Sequence, residues 1–141
     1  MRNHFITITV ILFAGSLLCG AALSAATAAA EDPRTIVDRV YSVAQADRGE
    51  ARFKTSCSSC HTPGSFAGGS FAERWSGQTM AEVFDFVSNA MPENDPGGLE
   101  KEAYADVLAF ILRVNAYPAG NDELPIDPAA LKKLEIAPNP K

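Results

Sequence analysis

The stretch Cys57-Ser58-Ser59-Cys60-His61 holds every cysteine and histidine that follows residue 30 of this 141-residue chain. Two thiols separated by two residues and followed at once by an imidazole form the C-x-x-C-H pattern, which is typical of covalent haem c attachment. Each thiol can form a thioether with one vinyl group of the porphyrin, and the adjacent imidazole can bind the iron. The sequence therefore predicts one haem c, attached through Cys57 and Cys60, with His61 as the proximal iron ligand.

Three other interpretations of this stretch compete with haem attachment. A redox dithiol of the thioredoxin type requires a βαβ pattern, and no strand-like alternation surrounds residues 57–61. A structural zinc site requires four ligands, whereas the chain after residue 30 has only these two cysteines and one histidine. A plain disulfide would leave the adjacent histidine unexplained, so haem attachment is the interpretation that uses all three side chains.

Residues 1–30 have the pattern of a secretory signal peptide. Arg2 supplies a positive start, Phe5–Leu23 is apolar, and Ser24–Ala30 is rich in small residues and offers Ala-x-Ala cleavage sites. An uncleaved membrane anchor is the alternative, because the apolar stretch is close to the length that spans a bilayer. We predict cleavage near Ala30, which removes Cys19 and leaves residues 31–141 as a periplasmic domain that meets the membrane only through this transient leader.

The composition describes a folded, acidic domain. A hydrophobic content of 47% with 21% charged residues is typical of a globular protein and not of a disordered one. The formal net charge of −5 argues against a nucleic-acid partner, which requires a basic surface.

The second iron ligand has to come from elsewhere in the chain. His4 lies in the predicted leader, so methionine, the common partner of histidine in cytochromes, is the candidate. Met80 lies on the apolar stripe of a predicted helix and is expected to pack in the core. Met91 follows that helix and precedes Pro92, which prevents the helix from continuing. We predict His61 and Met91 as the two iron ligands; a vacant sixth position, as in a gas binder or peroxidase, is the alternative.

Capping signals and apolar spacing predict an all-α fold with three main helices around the haem. The first helix opens at the S-x-x-Q box of Ser42 and runs to about Lys54, and the second opens at the box of Thr79 and ends before Met91. The third runs from about Glu100 to Val114.

Smaller features are predicted after the third helix and beside the haem. Asp127 and Pro128 predict a short last helical turn, and the polar residues Ala137–Lys141 are predicted to form a mobile tail. Two ring N–H groups need acceptors: that of His61 is expected to find a backbone carbonyl, and that of Trp75 either a haem propionate or a backbone carbonyl.

The chain resembles the class I cytochrome c family over nearly all of residues 31–141. The matching stretches are Arg48-Gly49-Glu50, Cys57 to His61, Asn89-Ala90-Met91-Pro92, Pro96-Gly97-Gly98-Leu99 and Tyr104 to Leu112. The resemblance implies a class I cytochrome c fold in which the first and last main helices cross, with Gly49 against Phe110 and Phe53 beside them. It also implies electron transfer and no enzyme activity of the chain alone.

Two stretches are similar to cytochromes that serve periplasmic quinoprotein dehydrogenases: the Met-Pro segment with its following Pro-Gly-Gly-Leu, and Asn115–Gly120. The resemblance implies a diffusible carrier between such a donor and an oxidase or another cytochrome. A tightly bound dehydrogenase subunit is the alternative, and a haem enzyme or gas sensor is a third possibility. Unlike mitochondrial cytochromes, which ring the haem edge with lysines, this chain has only Lys54 and Lys101 before its C-terminal end, so a different partner surface is expected.

Overall fold

The computed structural model describes residues 34–139, so the predicted leader and its cleavage site lie outside the described residues. The elements in chain order are β1 (Arg34–Thr35), α1 (Val43–Ser56), a 3-10 helix (Pro63–Phe66), α2 (Ser70–Trp75), α3 (Met80–Ala90), α4 (Lys101–Val114), α5 (Pro128–Leu131) and β2 (Leu134–Glu135). The predicted all-α fold class is confirmed, and the three longest helices are the three that the sequence predicts. None of the helices between residues 34 and 139 has the length and apolar character that a membrane span requires.

The first helix begins at the predicted residue but only half of its predicted capping box forms. The Ser42 hydroxyl accepts a hydrogen bond from the Gln45 backbone N–H at 3.0 Å. The Gln45 side chain, which is 2% exposed, does not return to Ser42. Its amide donates to the Leu124 carbonyl at 3.1 Å and accepts from the Leu124 N–H at 2.7 Å. The Gln45 side chain therefore bonds to the backbone of Leu124 and not to the start of its own helix. This pair of hydrogen bonds joins α1 to the loop before α5.

The helix that leads to Met91 begins at its predicted capping box, in which the Glu82 side chain returns to Thr79. Glu82 accepts hydrogen bonds from both the backbone N–H of Thr79 at 2.7 Å and its hydroxyl at 3.0 Å. The helix ends at Ala90, and the Met91 N–H donates to the Val87 carbonyl at 3.0 Å. Residue 91 therefore leaves the helix at the predicted point.

Helices α1 and α4 cross at Gly49, as the family resemblance implies. A Cβ at Gly49 would overlap the backbone carbonyl of Asp106 and lie 3.0 Å from the Phe110 Cβ. The rings of Phe53 and Phe110 pack beside this point, with centroids 5.3 Å apart. Because glycine lacks a side chain, the two helix backbones come into direct contact and bury both aromatic rings.

Ion pairs flank the crossing on its solvent side. Arg48 of α1 binds the Asp106 carboxylate through two nitrogens, at 2.8 and 3.0 Å. Arg113 of α4 binds Asp47 at 2.5 Å and Glu50 at 2.7 Å. Most of these side chains are substantially exposed, so each pair contributes about 1 kcal/mol or less and mainly orients the helices.

The chain after α4 folds back on the domain as far as residue 139, the last one that the structure describes. The predicted last turn is present, and the Asp127 carboxylate caps it through the Ala130 N–H at 2.8 Å. The strands β1 and β2 form a parallel pair that the sequence did not predict. Ala137 accepts a hydrogen bond from the Tyr117 hydroxyl at 2.7 Å, and Asn139 donates to the Asn115 carbonyl at 2.9 Å. The described part of the predicted mobile tail is therefore docked.

Candidate functional site

A cavity of about 720 Å³ opens beside the α1–α4 crossing. Its volume is in the range of cofactor sites in proteins. Side chains from α1, the segment that follows it, α2, α3, residues 91–94 and α4 line it. The apolar part of its wall consists of Phe53, Phe66, Phe71, Trp75, Val83, Phe86, Val87, Val107, Leu108 and Ile111.

The predicted haem-attachment residues form a tight turn at the edge of this cavity. The helical bonding of α1 continues into the turn, because the Cys57 N–H donates to the Phe53 carbonyl at 2.9 Å. The His61 N–H then donates to the Cys57 carbonyl at 2.9 Å, which closes the turn. Cys57, Cys60 and His61 all line the cavity. The His61 ring packs on Phe66, with centroids 5.4 Å apart, and makes no hydrogen bond with a described residue, so its expected backbone acceptor is not found.

The competing chemistries of the two cysteines find no support in the geometry. Burial raises the pKa of the Cys57 thiol, whereas a redox-active dithiol requires a lowered one. Both thiols are free and form no disulfide. Between residues 34 and 139, no group of three or more His, Cys, Asp or Glu side chains is placed to hold a metal ion. Two thiols, an imidazole and a thioether around an apolar cavity are instead the donor set that suits haem c.

The two methionines occupy different environments. Met80 is fully buried in the hydrophobic core and is not part of the cavity wall, as the sequence predicts. Met91 is half-buried and lines the cavity together with Cys57, Cys60 and His61. The structure therefore brings the four predicted site residues to one cavity, while iron ligation by Met91 stays a prediction.

A stacked cation lies at the rim of the cavity, and the sequence analysis missed it. The Arg74 guanidinium lies 5.5 Å from the ring centroids of both Trp75 and Phe86. Phe86 is 41% exposed, so this rim faces solvent. The Trp75 indole N–H makes no hydrogen bond with a residue between 34 and 139, so the backbone carbonyl, one of its two expected acceptors, is not found among the described residues. No local pattern could reveal this cluster, because Phe86 comes from a different helix.

Residues 44–111 match the family described as cytochrome C oxidase, cbb3-type, subunit III. Every residue that lines the cavity falls within this span. Comparison with curated proteins and with solved structures gave no match. The match agrees with the resemblance seen in the sequence and supports a haem-binding domain that transfers electrons.

Proposed function

Because residues 44–111 make this chain a class I c-type cytochrome, we propose that it is an exported single-electron carrier with one haem c. Cys57 and Cys60 would form the two thioethers, and His61 and Met91 would bind the iron. The bound haem supplies a reversible one-electron change at iron that breaks no bond of a substrate. The observation that carries the proposal is the gathering of these four side chains around one apolar cavity.

The wall of the cavity defines the electrostatic conditions for electron transfer. Its aromatic and aliphatic side chains exclude water, so the environment disfavours additional positive charge on the iron. Methionine as the second iron ligand beside histidine would also raise the reduction potential. At the rim, the Trp75 indole N–H and the Arg74 guanidinium are two donors that could bind haem propionates. These features favour a carrier that accepts electrons at relatively high potential.

The acidic net charge supports a partner with a basic docking surface. The chain carries a formal charge of −5, and Lys54, one of the two lysines before the C-terminal end, is paired with Glu50 at 2.6 Å. Complementary charge would speed encounter with a basic partner and would be screened by salt. We propose a periplasmic dehydrogenase, of the quinoprotein type by resemblance, as donor and an oxidase or another cytochrome as acceptor.

A permanently bound electron-transfer subunit is the second candidate. It is favoured by the description of the matching family, which names a subunit of an oxidase. Purification at high salt separates the two candidates, because the small contacts of a carrier are screened. A stoichiometric partner that remains bound would support the subunit and contradict the carrier.

The optical spectrum of the exported protein tests the site. We expect covalently bound haem that survives acid–acetone extraction, and an oxidised low-spin spectrum with a methionine–iron band. Met91→Leu should abolish that band and lower the reduction potential. The control Met80→Leu should keep the band and cost less than about 1.5 kcal/mol of stability, because it conserves volume in the core. A Met91→Leu spectrum identical to the wild type, or a high-spin wild type that binds CO readily when reduced, would contradict the carrier.

Export is tested on the same protein. An N-terminal sequence beginning near Glu31 in the periplasmic fraction is expected for a cleaved leader. A chain that still begins at Met1 in the membrane fraction would identify residues 1–30 as an anchor instead.

A further inference from the structure

The segment from Met91 to Glu100, called here the distal segment, connects α3 to α4 and is held weakly by its own contacts. Residues 93–98 are all exposed. The internal bonds are those of local turns: the Asp95 N–H donates to the Pro92 carbonyl at 2.9 Å, and the Gly98 N–H to the Asp95 carbonyl at 3.0 Å. Local turns give a segment its shape but do not attach it to the core, so its position depends on other contacts.

One buried hydroxyl joins the two ends of the distal segment. The Tyr104 hydroxyl donates to the Met91 carbonyl at 2.7 Å and accepts from the Leu99 N–H at 3.4 Å. Tyr104 belongs to α4 and is 2% exposed. Its ring meets the Phe84 ring of α3 edge-on, with centroids 6.3 Å apart. The hydroxyl is therefore supported by both helices that the segment connects.

The backbone of Met91 is restrained on both sides as a result. Its N–H is bonded to the Val87 carbonyl, and its carbonyl is bonded to the Tyr104 hydroxyl. Only the side-chain torsions of Met91 remain to direct the sulfur within the cavity. Without the hydroxyl, the carbonyl would lose its partner, and the start of the distal segment would lose its attachment to α4.

We propose that Tyr104 is a positioning residue for the distal iron ligand, which holds the Met91 thioether in place against competing external ligands. This inference rests on the proposed function, in which Met91 binds the iron. An external ligand binds only when the thioether is displaced, so its apparent affinity reports how firmly Met91 is held.

Titration of the oxidised holoprotein with imidazole, followed optically, tests the proposal. Tyr104→Phe keeps the ring and removes the hydroxyl, and it should bind imidazole about tenfold more tightly than the wild type. Tyr117→Phe is the matched control: Tyr117 is 3% exposed and its hydroxyl donates to a backbone carbonyl, that of Ala137, at the same 2.7 Å. The control should lower the unfolding temperature and leave the imidazole affinity unchanged.

Phe84→Leu provides a second variant should Tyr104→Phe not fold. It keeps the hydroxyl but removes the ring that supports Tyr104, and it should tighten imidazole binding by a smaller factor. The inference is overturned if Tyr104→Phe and Tyr117→Phe bind imidazole with equal affinity. If Tyr104→Phe does not fold, the inference is overturned when Phe84→Leu binds imidazole with the affinity of the wild type. If Met91→Leu itself binds imidazole no more tightly than the wild type, Met91 does not compete with imidazole for the iron, and the proposed function fails. The Tyr104 and Phe84 results test only the positioning role of Tyr104, so the two failures have different signatures.

Discussion

Gly49 at the α1–α4 crossing and Gly98 in the distal segment are both positions where a side chain would collide, but with different neighbours. At Gly49 a Cβ would overlap the backbone carbonyl of Asp106. At Gly98 it would overlap the carboxylate of Asp95, an exposed residue of the same segment. A helix backbone can move only if the whole helix moves, whereas a carboxylate can rotate away. The crossing is therefore rigid where the distal segment is adaptable.

The two regions also differ in what holds them. The crossing buries Phe53 and Phe110 to 2% and 6% exposure, so its cohesion comes from apolar burial over a large contact. The distal segment is mostly exposed and depends on the Tyr104 hydroxyl. Variants at the crossing should therefore change the free energy of unfolding, and variants of the distal segment should change ligand binding at the iron.

The largest effect on stability is expected for Gly49→Ala. The added Cβ must push α1 away from α4, and we expect a loss of about 3 kcal/mol in the free energy of unfolding. Denaturant unfolding followed by circular dichroism measures this loss. At a solvent-exposed helix position the same change would stabilise the protein by about 1 kcal/mol. A loss of stability at Gly49 would therefore indicate that the backbones of α1 and α4 are in contact.

Ala51→Gly, at an exposed position of the same helix, is the control for helix propensity. It should cost about 1 kcal/mol and leave the contact with α4 intact. If Gly49→Ala proves neutral or stabilising, the close approach of the two helices is not what the structure describes.

A smaller effect is expected from the charge that caps α3, the helix leading to the distal segment. The backbone N–H and then the hydroxyl of Thr79 hold the pKa of Glu82 below its ordinary value, which is about 4.3. A carboxylate with a lowered pKa stabilises the fold at higher pH, and this contribution is lost as the pH falls through its folded-state pKa. Glu82→Gln should therefore reduce the loss of thermal stability between pH 6 and pH 3, values chosen to lie on either side of about 4.3.

The comparison for this measurement is Thr79→Ala, which removes the hydroxyl that donates to Glu82 at 3.0 Å and keeps the backbone N–H that donates at 2.7 Å. Its acid dependence should lie between those of Glu82→Gln and the wild type. An acid dependence of Glu82→Gln that matches the wild type would show that the cap contributes no charge effect.

The smallest effect is expected for Gly98→Ala. Because the Asp95 carboxylate can rotate into solvent, the free energy of unfolding should stay within about 0.5 kcal/mol of the wild type. The methionine–iron band should also persist. A loss comparable to that of Gly49→Ala would erase the distinction between the two regions.

Local patterns in the sequence were sufficient for the main helices and for the different environments of the two methionines. The helical stripe of Met80 and the proline after Met91 are properties of neighbouring residues, and the structure places both methionines accordingly. Short elements escaped prediction: α2 has six residues, too few to show an apolar period. The pairing of Gln45 with Leu124 was also missed, because its partner lies 79 positions away.

The sequence by itself determined the prediction for the chemistry of the site, because two thiols and an imidazole within five residues are the local pattern typical of haem c attachment. It also determined, to within about two residues, where the three main helices begin and end, since caps and apolar spacing act over a few residues. Only the tertiary structure decided that Tyr104 reaches the Met91 carbonyl, and that Arg74 lies beside the paired rings of Trp75 and Phe86. These contacts depend on how separate helices pack, and packing is governed by the shape of the whole core, which no local stretch encodes.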